Sequence, residues 1–402
     1  LGEAAAEARR RTLLDRATDL LARRLDLLDP SDLPERLAGL HDLGTIEMSM
    51  GRYAAAAASF RSMLDAAWRL GVPAKVAAAL SKLGRVHRAR GDYAAAIRAI
   101  EEALRLFRSC GDMPGISGTL TDLGSLRYLL GEYPDARRCH REALALRREM
   151  EDDRGTAVAL LHLAALDRAD GLLGRAAAKA QEALRIGEGS AAPEELAQAM
   201  NVLGIVAFDR EDHDAALGYF QEGLRLASGV DRRIETYLLN NLGELMLRTG
   251  RPADAAEPLK RALDLAAQNE DLRSLGEVQR NISRLAAVEG RPAEAVEYAD
   301  RALELASRIG SAEAQALACL AVGQARAAAG PGAAGDPPDT FFRRAVETLR
   351  RIGHSVELAK ALWAFASFLH ENGRPGEAAS IRAEARRAFA QHGIAARDPG
   401  HA

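Results

Sequence analysis

One block of residues returns through this chain at a nearly fixed spacing of forty, so the fold must be built by stacking similar units. The block Leu123-Gly124-Ser125-Leu126-Arg127-Tyr128-Leu129-Leu130-Gly131-Glu132-Tyr133-Pro134-Asp135-Ala136 shows its parts. A small residue is followed seven positions on by a glycine turn, then by an aromatic or proline that opens the next segment. The turns fall at Gly51, Gly91, Gly131, Gly171, Gly250, Gly290 and Gly373, with Glu211 in the same place without glycine. The small residues before them are Gly44, Gly84, Gly124, Ala164, Gly204, Gly243, Ser283, Gly323 and Ala366. A second small position follows each turn by twelve residues, as at Ala103, Ala143, Ala183, Gly223, Ala262 and Ala302, with Met63 there in the first unit.

This spacing predicts pairs of helices that cross closely, with small residues where they approach. Each turn needs a residue at positive φ, which glycine supplies. Tyr or Pro two positions later suits a helix start, where the missing proline N–H costs nothing. A single pair is too small to cover its own apolar face, so the pairs must stack. Composition agrees: the apolar share is 48% and aromatics only 4%, with alanine and leucine dominant. Those are strong helix formers, and strand-favouring runs are missing.

The pattern resembles the tetratricopeptide repeat in its longer form of about forty residues per unit. Similar arrays occur in kinesin light chains, in Pins-like polarity adaptors and in bacterial signalling regulators. The resemblance implies an all-α, right-handed solenoid of about nine helix-turn-helix units over residues 33–392. Residues 1–28 read as an extra helix or capping half-repeat, ended by Asp29-Pro30-Ser31-Asp32. Three places depart from the pattern. Glycine is missing at 211, Pro258 falls inside a second helix and should kink it, and the penultimate unit gains three residues. That insertion is rich in Gly and Pro, so 330–339 reads as a loop. Its formal G-x-G-x-x-G at 330–335 has no strand before it and is no dinucleotide site. Residues 393–402 read as a disordered tail.

Nothing in the sequence points to catalysis, a metal or a cofactor. Metalloprotease, Walker and nucleophile-elbow patterns are missing. Cys139 and His140 are neighbours, which on a helix do not face each other; they read as a small buried cysteine and a surface histidine. Glu211-Asp212-His213-Asp214 reads as a solvated turn with acids at a helix start. A net charge of -3 gives no broad basic field for nucleic acid. No apolar run spans a bilayer and no secretory core precedes Arg9-Arg10-Arg11, so a cytoplasmic setting is expected. The start at Leu1 suggests a fragment of a longer chain.

The resemblance implies that first helices line a concave groove. Its inward positions include Arg85, Arg88, Ser125, Tyr128, Arg168, Asn201, Phe208, Asn240, Glu244 and Arg248. Asn201 and Asn240 occupy equivalent places, and an amide that both donates and accepts can clamp a ligand backbone; an exposed helix face also suits asparagine. Arg85, Arg88 and Arg168 would favour an acidic segment, or are ordinary solvated arginines. Tyr128 and Phe208 are candidate anchors, while Trp68 and Trp363 are assigned to packing. The resulting expectation is a non-catalytic scaffold that binds a peptide or protein segment. The alternatives are the regulatory part of a larger bacterial signalling protein linked to a kinase or transcription regulator, or a signalling-peptide receptor.

Overall fold

The forty-residue period is realised as helix pairs. The computed structural model describes residues 2–190, 193–269, 271–330 and 335–392, with the side chains of 2–12 and 190 aside. Helix α1 (Gly2–Leu27) comes first. Then α2 (Leu33–Ser49) pairs with α3 (Tyr53–Leu70), α4 (Pro73–Ala89) with α5 (Tyr93–Cys110), and α6 (Met113–Leu129) with α7 (Tyr133–Glu149). Next come α8 (Asp153–Ala169) with α9 (Leu173–Ser190), α10 (Pro193–Asp209) with α11 (His213–Ala227), and α12 (Arg232–Arg248) with α13 (Pro252–Gln268). The last pairs are α14 (Leu272–Val288) with α15 (Pro292–Ile309), α16 (Ala312–Ala329) with α17 (Pro338–Ile352), and α18 (Ser355–Glu371) with α19 (Pro375–His392). No strand occurs among the described residues.

Each turn is shaped as its residues require. Gly51, Gly91, Gly131, Gly171, Gly250, Gly290 and Gly373 all have positive φ. Glu211 holds the same left-handed conformation at φ 61, so the turn survives there at some backbone strain. Behind such a turn the chain bonds back to the helix just ended: Asp92 N–H donates to the His87 carbonyl at 2.9 Å. The Asp92 carboxylate then caps the new helix at Ala95 N–H, 3.1 Å away. A second glycine series closes the second helices: Gly71, Gly111, Gly310 and Gly353 are left-handed C-caps, and Glu151 takes φ 54 in the same register. Gly71 and Gly111 fall twenty residues out of phase with Gly51 and Gly91.

The small positions serve side chains more than backbones. A Cβ at Gly84 would lie 2.5 Å from Ile100 Cγ1, and one at Gly204 would run into the Phe220 ring at Cε1. Gly44 receives Phe60 and Gly243 receives Leu259 in the same way. In each of these pairs the bulky knob sits sixteen residues after the small hole. That register corrects the reading of Cys139-His140. His140 stands sixteen residues after Gly124, in the knob position, and is 1% exposed. Cys139 is only half-buried. Trp68 needs a correction too. It is 60% exposed on α3, while Trp363 at 6% lies in the core as expected. Pro258 is accommodated within a continuous α13. Of the insertion, 331–334 lie outside the described residues, as do 393–402 where the tail was expected.

The described chain forms two compact units. One takes in the chain to Leu126 with Ala145–Met150; the other is Arg127–Leu144 with the chain from Glu151. In the first, Phe60, Met63, Val76, Leu83 and Val86 centre a core of helix pairs. In the second, the largest core joins Tyr133, Leu163 and Leu166 to Phe342, Leu349, Leu362 and Phe365. That core fixes how the second unit is arranged. Its first helices α8, α10, α12, α14, α16 and α18 each touch the next, and α18 touches α8. They therefore close a ring with an inner face.

Candidate functional site

The inner face of that ring is built from the polar positions of its first helices. Where α18 meets α8, four charged side chains interlock. Arg168 Nε donates to Asp209 Oδ2 at 2.5 Å, and its Nη2 to Glu357 Oε1 at 2.6 Å. Lys360 Nζ reaches Asp209 Oδ1 at 2.7 Å and Glu357 Oε1 at 3.3 Å. The Asp209 side chain is 0% exposed and that of Glu357 is 12% exposed. Burial would push the Glu357 carboxyl up, yet Lys360 and Arg168 hold it far below the usual carboxylate range. Asp209 is lowered by the same two cations against the same burial. Burial alone would lower Lys360, but Asp209 and Glu357 raise it. Both acids are therefore charged and matched.

A second polar layer lies beside the first. Glu313 faces buried His354, Oε1 to Nε2 at 3.4 Å. Burial opposes its charge, but His354, Arg273 and Arg168 bring its carboxyl down to about 2. The Tyr128 and Tyr133 rings lie 5.1 Å apart, and burial, then Glu313, pushes both phenols up. Between α14 and α16 a pocket opens, lined by Arg273, Glu277, Arg280, Ser311 and Glu313 over small residues such as Gly276 and Ala314.

Further round the ring, amides bridge successive first helices. Asn241 Nδ2 donates to Asn201 Oδ1 at 2.8 Å, and Asn281 Nδ2 donates to Asn240 Oδ1 at 3.0 Å. Asn240 is 4% exposed and Asn201 is half-buried, so of the two groove asparagines only Asn201 is partly open. Arg284 Nη1 donates to Glu244 Oε1 at 3.2 Å. Over the Phe208 ring stand Arg248, 5.7 Å from its centre, and Lys360, 5.9 Å from it.

Thus Tyr128, Arg168, Asn201, Phe208, Asn240, Glu244 and Arg248 all belong to the second unit, where Arg168 and Phe208 share Lys360 as a neighbour. Arg85, Arg88 and Ser125 belong to the first. There Arg85 Nε donates to Asp122 Oδ2 at 2.6 Å, Arg88 is half-buried, and Ser125 Oγ donates to its own helix at Thr121 O, 2.9 Å. Sequence reasoning missed Glu357 and Lys360. They precede Ala366 by nine and six residues, outside the inward positions of the repeat frame, and no repeat encodes a contact between the fourth and ninth pairs.

Among the described residues no helix is long and apolar enough to cross a membrane. No curated protein matches this sequence. Solved structures do match its fold. A Rap protein complexed with Competence and Sporulation Factor aligns with a TM-score of 0.66 at 13% identity, covering 90% of this chain and 98% of that one. The Rap conjugation gene regulator of the plasmid pLS20, in complex with the Phr* peptide, gives 0.59 at 14% identity over 90% and 95%. Aspartyl phosphate phosphatase F from Bacillus subtilis gives 0.51 at 15% identity over 92% and 98%. The sequence itself matches the tetratricopeptide repeat over residues 35–109, 115–188 and 195–268, more than half of its length. The chain belongs to the tetratricopeptide repeat family.

Proposed function

We propose that this chain is a non-catalytic receptor for a peptide or protein segment, which lies along the inner face of α8, α10, α12 and α14. One observation carries the reading: polar and aromatic side chains line successive first helices on a face already fixed by packing. Asn201, its Oδ1 already held by Asn241, offers its amide N–H, Phe208 offers an apolar surface under two cations, and Glu244 and Arg248 offer charge. Because the helices hold these groups in place, a ligand orders few of them on binding. Two of the similar solved structures support the reading, one in complex with the Phr* peptide and one with Competence and Sporulation Factor.

The third similar structure is a phosphatase, yet the reading stays non-catalytic. Asp209 and Glu357 are each held ionised by two cations, so neither is poised to donate a proton. The partner on this reading is protein, not nucleic acid or membrane, and the setting is cytoplasmic. A regulatory region within a larger bacterial signalling protein is compatible with the same site. The test is a selection of random heptapeptides against the full chain. A consensus that binds the wild type and is lost with Asn201→Ala plus Phe208→Ala supports the receptor. Failure to select any sequence, or equal binding to the variant, overturns it.

A further inference from the structure

The first and last helices of the array differ in what they show to solvent. An end helix of a solenoid stays soluble through a polar outer face. Helix α19 follows that rule: Glu377, Ser380, Ala383, Arg386, Arg387 and Gln391 are exposed, and none of its large apolar side chains is. Helix α1 breaks it. Leu13 and Leu20 are each 64% exposed, and Leu27 is 88% exposed.

These leucines are not the ones that seat α1. Leu25 does that, 6% exposed and filling the space beside Gly39, with Leu28 against the same core and Thr18 buried on the same side. Leu13, Leu20 and Leu27 stand seven residues apart, so they form one narrow stripe, turned about 120° or more from Leu25. Beside the stripe run Arg16 and Arg23, each three residues after a leucine. Both are exposed, and neither has a carboxylate partner among the described residues. Their neighbours are already matched, Arg24 by Glu35 and Asp15 by Arg52.

We propose that Leu13, Leu20 and Leu27 form a docking face for an amphipathic helix of another protein, one whose own apolar stripe is edged by Asp or Glu. The spacing selects a helix, because a seven-residue seam receives the knobs of a facing helix, whereas an extended segment turns its side chains over at every residue. The charge selects acid, because Arg16 and Arg23 present free forks along the edge of the seam. A second copy of α1, laid antiparallel, would bring those arginines against their own counterparts. A bilayer fits poorly, since the stripe is one leucine wide and Asp19 and Asp26 adjoin Leu20 and Leu27. The face belongs to the first unit and does not depend on the receptor reading of the second.

The experiment selects a displayed library of helical peptides of about three heptads against the full chain. Every seventh residue is leucine, and Glu, Lys or Gln is drawn at random for the flanking positions. Selected peptides should carry Glu beside the leucines. By fluorescence anisotropy they should bind Leu13→Gln, Leu20→Gln, Leu27→Gln about tenfold more weakly, or worse. The three leucines are exposed, so that variant should keep the wild-type melting curve. Arg16→Glu with Arg23→Glu should reverse the preference, taking the same peptides once Lys replaces Glu. A library without a binder, binders that the leucine variant retains, or a preference that the charge swap leaves unchanged overturns the proposal. So does a wild-type dimer in sedimentation equilibrium that the leucine variant loses, which gives the stripe to a second copy. Flotation with vesicles of equal parts phosphatidylserine and phosphatidylcholine, lost with the same variant, gives it to a membrane and overturns the proposal as well.

Discussion

The patch where α8 meets α18 and the arc across α12 and α14 use the same residue types on the same helix face, yet they are in opposite electrostatic states. At the first, Arg168 and Lys360 meet Asp209 and Glu357 two for two, with side chains 0–22% exposed. At the second, Arg248, Arg280 and Arg284 share Glu244, and Arg248 stands exposed. The first patch has no unmet demand and joins elements far apart in sequence. The second is left with positive charge that the fold does not neutralise. The difference separates residues that hold the ring shut from residues whose charge the ring leaves unmatched.

The largest expected effect breaks the closed patch. Arg168→Ala leaves Asp209 and Glu357 sharing Lys360 alone, in a site with little water. Removing one partner of a buried pair strands the other's charge, at a cost of about 3 kcal/mol. Urea denaturation should show that loss; a change under about 0.5 kcal/mol would mean the patch is as dispensable as an ordinary surface pair.

Next in size is a change behind the inner face, where packing rather than charge decides. Gly204→Leu should destabilise by about 2 kcal/mol, because Phe220 already fills the space its Cβ would need. At Gly218 on α11, by contrast, a Cβ would meet nothing within 4 Å. Gly218→Ala should therefore stabilise by about 0.5 kcal/mol through helix propensity. Equal and opposite shifts in melting midpoint are not needed, but matching signs would undo the knob-and-hole register.

His140 sharpens the comparison from a third side, as a buried group whose demand is left unmet. It stacks on His162 with ring centres 4.6 Å apart, and its Nδ1 has no hydrogen-bond partner among the described residues. Burial first, then His162, brings it down to about 3 from an ordinary 6.5. Between those values the unfolded chain takes a proton that the folded one refuses, so stability falls as pH drops below 6.5. The slope approaches about 1 kcal/mol per pH unit. Glu313 acts lower: its contribution is complete above 4.5 and is lost as pH falls toward about 2. His140→Phe should flatten the stability profile between pH 6.5 and 4.5, and Glu313→Gln only below that. A profile unchanged by His140→Phe would show that the imidazole titrates freely.

How much of this is legible in the sequence follows from where each feature is encoded. Helix pairs, turns and holes repeat, so Gly84, Gly204 and Gly91 announce themselves by spacing. The knob at His140 is equally legible, but only once Phe60, Ile100 and Phe220 are seen to share its register. The ring closure is not. Arg168 and Glu357 are 189 residues apart, and a repeat specifies each pair's contact with its neighbour but not how many pairs complete a turn. Trp68 misleads in another way, because its residue type suggests burial where its helix position faces solvent.

The smallest expected effect is the one that most separates the two patches. Arg280 has no carboxylate partner among the described residues and stands near other positive charges, so deleting its guanidinium removes little that favours folding. Arg280→Ala should change stability by less than about 0.5 kcal/mol, and relief of repulsion on Arg284 works toward a slight gain. Added salt screens the same repulsion, so the wild type should gain more stability between low and moderate ionic strength than Arg280→Ala does. If the variant instead loses as much as Arg168→Ala, Arg280 is held by the fold after all. The arc across α12 and α14 would then be a second closed patch, with nothing left over for a ligand.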